Sequence, residues 1–207
     1  MRRAVVLPLL TIVTAGLLAA EDPKFTSTWK WMDAKSVSFA GSKVAALVIT
    51  KDDSLRTSGE EALVRELAAR GLQAVATYRI IPRPELEDAE KAKVWYDKAA
   101  VEGVVALRPV GSEKVKSYSS AVWTSAPYGS FWGYYPYGWS TLYIPASTRE
   151  DTVVGVETLV FSVKLNQLLW AGMSETKNPK NLQQFVKDLV VEAAKEMQKQ
   201  GLIAKKP

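Results

Sequence analysis

The strongest constraint on the fold is a pair of strand–helix–strand patterns between residues 43 and 110. Residues 43–50 form a continuous apolar run with a β-branched end, which is typical of a strand buried on both faces. Residues 73–81 are predicted as the second strand and residues 104–110 as the third, with a charged helix within residues 85–101 between them. Two such units in succession predict parallel pairing and right-handed crossovers.

The helix between the first two strands carries a signal at each end. Ser58 is predicted as its N-cap, and Glu61, three residues later, completes a capping box. Gly71 fits the left-handed position after the last turn, and Leu72 suits the hydrophobic contact that follows it. Residues 21–42 look irregular, so the first regular element is predicted at residue 43.

A hairpin and a helix close the chain. Residues 153–164 predict a long strand, residues 166–167 a turn, and residues 168–173 the returning strand. The last helix is predicted to open at residues 178–181. Its core-facing stripe keeps helical spacing throughout: Leu182, Phe185, Val186, Leu189, Val190, Ala193 and Met197.

These elements predict a single two-layer α/β domain over residues 21–207. The order is β-α-β-α-β, an aromatic insert over residues 111–152, a β-hairpin and a C-terminal helix. The sheet is predicted to be mixed, parallel in its first half and antiparallel in its second, with the helices mainly on one face.

Residues 1–20 have the layout of a secretory signal peptide. Two arginines follow Met1, residues 4–18 are apolar apart from two threonines, and the small residue Ala20 precedes a polar Glu21. The apolar region of about 15 residues is shorter than the roughly 20 that a spanning helix needs. We therefore expect a periplasmic or secreted mature chain, with an uncleaved membrane anchor as the alternative.

Composition excludes several kinds of chemistry. The chain contains no cysteine and no histidine, which excludes disulfides, thiolate nucleophiles, Ser-His-Asp catalysis and histidine metal sites. Without the two arginines of the signal, 25 Lys+Arg stand against 22 Asp+Glu, a net charge of +3. This weak bias, without a basic stripe, argues against a nucleic-acid partner, and nothing predicts a cofactor.

The most unusual segment is the aromatic insert. Residues 117–148 contain no charged residue, and residues 118–143 hold 10 of the chain's 20 aromatic residues. The centre, residues 128–139, is too rich in glycine and proline to be predicted as a regular element. Seven of its residues are candidates for binding a partner: Tyr128, Phe131, Trp132, Tyr134, Tyr135, Tyr137 and Trp139.

Three interpretations of the insert stay open. It is a loop packed on its own sheet, a contact surface for a protein or a glycan, or a segment that touches lipid. Tyrosine and tryptophan suit a contact surface for a protein or a glycan because they offer rigid apolar faces with a polar tip. They also suit a lipid contact because they are enriched at the membrane interface. In the lipid interpretation residues 115–160 form a hairpin, although Gly133 and Pro136 interrupt its centre.

The chain resembles a family of small, largely uncharacterised bacterial cell-envelope proteins, often lipoproteins, over nearly the whole mature sequence. The matching pieces, in order, are residues 28–30, 44–50, 56, 60–61, 71–75, 103–108, the aromatic insert, 168–172 and 174–176. The resemblance implies an α/β domain at the outer membrane or in the periplasm, and it supplies no catalytic residues that can be carried over to this chain. Those relatives place a cysteine at the cleavage site; here Ala19, Ala20 and Glu21 stand instead, so no lipid anchor is expected.

Catalytic alternatives rest on carboxylates and on one helix end. Glycoside hydrolysis needs two carboxylates about 5–10 Å apart, and the pairs at residues 52–53, 60–61 and 150–151 are available. Arg56 precedes a helix start that is able to bind an anion, although Glu60 and Glu61 oppose one. For Trp170, flanked by apolar residues in the hairpin, we expect a place in the core.

The leading hypothesis is an exported, non-enzymatic cell-envelope protein that binds or scaffolds an envelope protein or a glycan through the insert. The first alternative is a subunit of an outer-membrane assembly, in which the insert makes a peripheral contact with lipid. The second alternative is a carboxylate-dependent hydrolase.

Overall fold

The computed structural model describes residues 23–111, 120–142, 153–177 and 182–203. The strands are β1 Lys24–Lys30, β2 Lys43–Val48, β3 Gln73–Ala76, β4 Val101–Gly111, β5 Val153–Ser162 and β6 Gln167–Lys177. The α-helices are α1 Asp53–Ala68, α2 Ala89–Lys98, α3 Ser120–Trp123, α4 Phe131–Ser140 and α5 Leu182–Lys199. The predicted signal peptide, residues 1–20, lies outside the described residues.

The six strands form one mixed sheet in the order β1-β6-β5-β4-β2-β3. β2 pairs in parallel with both β3 and β4, whereas the pairs β4–β5, β5–β6 and β1–β6 are antiparallel. The predicted single α/β domain with a mixed sheet is confirmed.

Helices cover both faces of this sheet, so the domain has three layers rather than the predicted two. Along β4, Val105 and Leu107 face a core that includes α1 and α5, while Val104 and Ala106 face a second core that includes α2 and α4. The physical reason is the aromatic insert, whose rings supply the apolar surface of the third layer.

The first helix begins six residues earlier than the capping-box pattern predicts. Asp52 is its N-cap, and one carboxylate oxygen accepts the backbone N–H groups of Ser54 and Leu55 at 2.9 and 3.0 Å. Gly59 lies inside the helix and is buried, where a Cβ atom would be 3.0 Å from the Val48 side chain. At the other end Gly71 has a φ of +81°, which confirms its predicted left-handed conformation.

The predicted irregular segment at residues 21–42 contains the edge strand β1. Tertiary pairing forms this strand, because β1 is hydrogen-bonded antiparallel to β6 on one side. Phe25 on β1 meets Trp170 on β6 edge-to-face, with ring centroids 5.4 Å apart. Trp170 is fully buried, in agreement with the core position predicted for it.

The predicted second strand is shorter than its apolar pattern suggests. β3 ends at Ala76, and residues Thr77–Arg79 form a 3-10 turn that leaves the sheet. The last helix α5 packs on α1 as its sequence stripe predicts, with Phe185, Val186 and Leu189 buried.

Candidate functional site

The centre of the aromatic insert is helical, not irregular. In α4 the Ser130 hydroxyl caps the first turn by accepting the Gly133 N–H at 3.1 Å, and Pro136 lies inside the helix with its ring exposed. Packing against the sheet therefore overrides the low helix propensity of glycine and proline. Residues 131–140 also do not form the hairpin of the lipid interpretation; residues 112–119 and 143–152 lie outside the described residues.

The structure divides the seven predicted partner-binding residues into two groups. Trp132 and Tyr137 are half-buried. The other five are buried in the core on the second face of the sheet: Tyr128, Phe131, Tyr134, Tyr135 and Trp139. In this arrangement five of the seven candidate rings pack on the protein's own sheet, while Trp132 and Tyr137 keep partly exposed side chains.

A fully buried ion pair lies beneath the insert. Arg108 on β4 stands opposite Glu157 on β5, and both side chains are inaccessible to solvent. Nε and Nη2 of Arg108 each lie 2.7 Å from Oε2 of Glu157. Such a pair is tolerated in an apolar interior only when the remaining polar atoms also find partners.

The insert supplies those partners. The hydroxyls of Tyr128 and Tyr134 donate to the Glu157 carboxylate at 2.6 and 3.1 Å, one to each oxygen. Nη1 of Arg108 donates to the Thr141 carbonyl oxygen at 3.0 Å and to its hydroxyl at 2.6 Å. Through these bonds the ion pair fixes three points of the insert to the centre of the sheet: Tyr128 before α4, Tyr134 within it and Thr141 after it.

The groups of this network keep their charge states. Burial raises the pKa of Tyr134 to about 12, although the positive charge of Arg108 partly opposes this. Burial alone would lower the pKa of Arg108, but Tyr134 and Glu157 more than offset it and the pKa is raised. The tyrosines therefore remain neutral donors and the guanidinium remains charged, which suits a structural clamp and not an acid–base catalyst.

No family model matches the chain, and no curated protein matches it. Among solved structures, the chain is similar to a PelC dodecamer from Paraburkholderia phytofirmans with 13% identity and a TM-score of 0.42. That match covers 78% of this chain and 90% of the other. A single-substitution variant of the same PelC dodecamer matches with 15% identity and a TM-score of 0.45, covering 88% of this chain and 98% of that one. At TM-scores below 0.5 neither match carries an argument about this chain.

The carboxylates considered for hydrolysis at residues 52–53 and 60–61 have structural partners, and residues 150–151 lie outside the described residues. Asp52 caps α1, and Asp53 pairs with Arg56 at 3.0 Å and with Arg83 at 3.1 Å. Arg56 lies inside α1 and not before a helix start as predicted, and it is buried and paired with Asp53. Within the described ranges there is no group of three or more metal-ligating side chains, and no helix has the length and apolarity to cross a membrane.

Glu60 differs from the other carboxylates because it is fully buried where β2 and β3 diverge. Its two oxygens accept the backbone N–H groups of Val48 at 3.2 Å and Tyr78 at 2.8 Å. Burial raises the pKa of Glu60 from 4.5 to about 7, against the lowering effects of these two bonds and of Arg56. Glu61, the next residue, faces outwards and pairs with Arg79 at 2.8 Å.

We expect the free energy of unfolding to fall as the pH rises from about 4.5 to about 7. The folded state holds the Glu60 proton more tightly than the unfolded chain, so its contribution is complete below that window and lost above it, by about 3 kcal/mol at most. Urea unfolding across this pH range measures the slope. Glu60→Gln should flatten it, whereas Glu90→Gln, at an exposed carboxylate on α2, should leave it unchanged; equal slopes in Glu60→Gln and the native protein would contradict the assignment.

Two partly exposed tryptophan rings flank α2: Trp95 on the helix itself and Trp132 at the start of α4. Lys98 Nζ lies 4.6 Å from the ring centroid of Trp95, and Lys93 Nζ lies 5.6 Å from that of Trp132. Val94, on the outer side of α2, is 50% exposed. We call Lys93, Val94, Trp95, Lys98 and Trp132 the Trp95–Trp132 surface.

Local hydrogen bonds hold Trp95 through its ring and Trp132 through its backbone. The Trp95 indole N–H donates to a Glu85 carboxylate oxygen at 2.6 Å, and the Trp132 backbone N–H donates to the Asn166 side chain at 3.2 Å. Sequence reasoning identified Trp132 as a candidate but not Trp95. It also missed Arg108 and Glu157, although a charge inside an otherwise apolar strand was a visible signal.

Proposed function

We propose that the protein is an exported, non-enzymatic cell-envelope protein that binds an envelope glycan through the Trp95–Trp132 surface. The observation that carries this proposal is the pair of half-buried tryptophan rings, each held by local contacts and flanked by a lysine. The signal-like segment at residues 1–20 and the resemblance to cell-envelope proteins support the location.

The chemistry of this surface favours a glycan over lipid. A sugar ring has an apolar C–H face, which packs on an indole, and a rim of hydroxyls, which bind charged side chains. An anionic membrane requires an excess of basic residues, whereas Lys93 here is paired with Asp97 at 2.8 Å and Lys91 lies 3.5 Å from Asp88.

The rest of the domain supports a binding role. The Arg108–Glu157 pair and its tyrosines hold the insert in place, and each described carboxylate considered for hydrolysis caps, pairs or accepts backbone N–H groups. These side chains are used to build a rigid platform for α2 and α4, which is what a binding surface requires.

Co-sedimentation of residues 21–207 with purified cell-wall sacculi, and separately with anionic lipid vesicles, tests the proposal. We expect pelleting with sacculi, weakened about tenfold or more in Trp95→Ala/Trp132→Ala. Trp31→Ala, at a half-buried ring near the edge strand, is the matched control and should pellet like the native chain. Unchanged pelleting of the double variant, or pelleting with vesicles alone, would contradict the proposal.

A further inference from the structure

A crevice with a volume of about 250 Å³ lies at the N-terminal end of β4, between the loop before β2 and the turn that joins β5 to β6. It is smaller than the roughly 300–1,000 Å³ of sites for drug-sized ligands, and therefore has the size for a small metabolite. Its lining includes Val37, Ser38, Phe39, Glu102, Lys164 and Leu165.

The walls of the crevice are fixed by packing and hydrogen bonds. The Phe39 ring covers Gly103 so closely that a Cβ atom there would be 2.4 Å from it. Across the crevice, the Val163 N–H donates to the Glu102 carbonyl at 2.8 Å, and the Leu165 N–H donates to the Ser162 hydroxyl at 3.1 Å. The shape is therefore formed before any ligand arrives.

Two opposite charges stand at its mouth without a tight bond between them. Lys164 Nζ is 3.8 Å from Oε2 of Glu102, and the two side chains are 72% and 45% exposed. The Ser42 hydroxyl donates to the same Oε2 at 3.0 Å and orients it. An exposed ion pair of this kind contributes little to stability. A ligand with two charges is therefore able to replace the one contact between Lys164 and Glu102 with two contacts of its own, one to each side chain.

The third feature of the crevice is the exposed apolar side chain of Leu165. Leu165 is 54% exposed, beside the charged pair and opposite the side of the crevice formed by Val37 and Phe39. A ligand that contacts this side chain removes apolar surface from water, which is favourable in proportion to the area covered.

We propose that this crevice binds a zwitterionic α-amino acid with an aliphatic side chain. The ligand's ammonium group binds the Glu102 carboxylate, its carboxylate binds the Lys164 ammonium, and its side chain lies against Leu165. The ammonium and carboxylate groups of the ligand are attached to the same carbon, so they lie close together. This short separation matches the 3.8 Å between Lys164 Nζ and Glu102 Oε2. The site is separate from the Trp95–Trp132 surface and does not depend on the proposed function.

Titration of the ¹⁵N-labelled protein with L-leucine and with D-leucine tests this site. We expect saturable shifts, at millimolar ligand, of the backbone amides of Ser38, Glu102 and Leu165. N-acetyl-leucine lacks the ammonium and leucinamide lacks the carboxylate, so each should bind about tenfold or more weakly. Absence of shifts with both leucine enantiomers, or binding of either blocked analogue as tightly as leucine, would overturn the proposal.

Two variants assign the contacts. Glu102→Gln and Lys164→Met should each weaken leucine binding about tenfold, because each removes one charged partner. Glu90→Gln and Lys91→Met, at exposed charges on α2, are the matched controls and should bind like the native chain. Since Lys164 is 72% exposed, its replacement leaves the fold intact, and undiminished binding by Lys164→Met would also overturn the proposal.

Discussion

Arg108→Met is expected to lower the free energy of unfolding by about 3–5 kcal/mol. The substitution leaves Glu157 buried, with no solvent to stabilise a lone carboxylate. It also removes the guanidinium bonds to Thr141, one of the points at which the insert is fastened. Equilibrium urea unfolding, followed by tryptophan fluorescence, measures the loss.

Lys98→Met is the control for that prediction, because it removes a positive charge that is exposed on α2. Exposed charges usually contribute less than about 1 kcal/mol, and we expect a change of that size or smaller. A loss below about 1 kcal/mol in Arg108→Met as well would show that the buried pair does not hold the insert.

Trp170→Ala is expected to destabilise the protein by about 3–5 kcal/mol. The ring is fully buried on β6, meets Phe25 of the edge strand edge-to-face and covers Gly172, where a Cβ atom would be 2.5 Å from it. Its removal opens a cavity between β1 and β6 that the surrounding backbone is too rigid to fill. The same unfolding experiment measures the loss.

Leu165→Ala is a suitable control, since this side chain is 54% exposed and belongs to no core. Its free energy of unfolding should stay within about 0.5 kcal/mol of the native value, as for most surface substitutions. If Trp170→Ala were as mild as this control, the contact between β1 and β6 would not depend on the indole ring.

The parts of the fold with strong periodicity were predictable from sequence. The apolar run of β2, the left-handed Gly71 and the stripe of α5 each appear where the pattern places them. Their local signals and their tertiary environments agree, which is the situation in which sequence reasoning succeeds.

The predictions that failed concern elements in which tertiary contacts override local sequence signals. At the start of α1, Asp52 caps the helix more than a turn before the predicted Ser58, and Gly59 inside it packs closely on β2. Strand β1 has little pattern of its own and forms by pairing with β6. Helix α4 contains Pro136 and two glycines, yet it is fixed by buried rings and by their bonds to Glu157.

The sequence indicated that the aromatic insert is unusual, but it did not indicate which of its aromatic residues are buried and which stay partly exposed. Aromatic density identified the insert correctly as an unusual segment, but an aromatic residue supports burial and partner contact equally well. Only the pairing of β4 with β5 shows that Arg108 and Glu157 meet, and that tyrosines above them turn inwards. Trp132 stays partly exposed because it lies in the first turn of α4, beside α2.

Hydrogen exchange of the α4 backbone amides tests the central claim most directly, namely that the insert is the third layer of the domain. The account predicts that amides such as those of Tyr135 and Trp139 exchange as slowly, within about a factor of ten, as those in the middle of β4 and β5. Exchange of the α4 amides at the rate of an unprotected loop, while β4 and β5 stay protected, would contradict it.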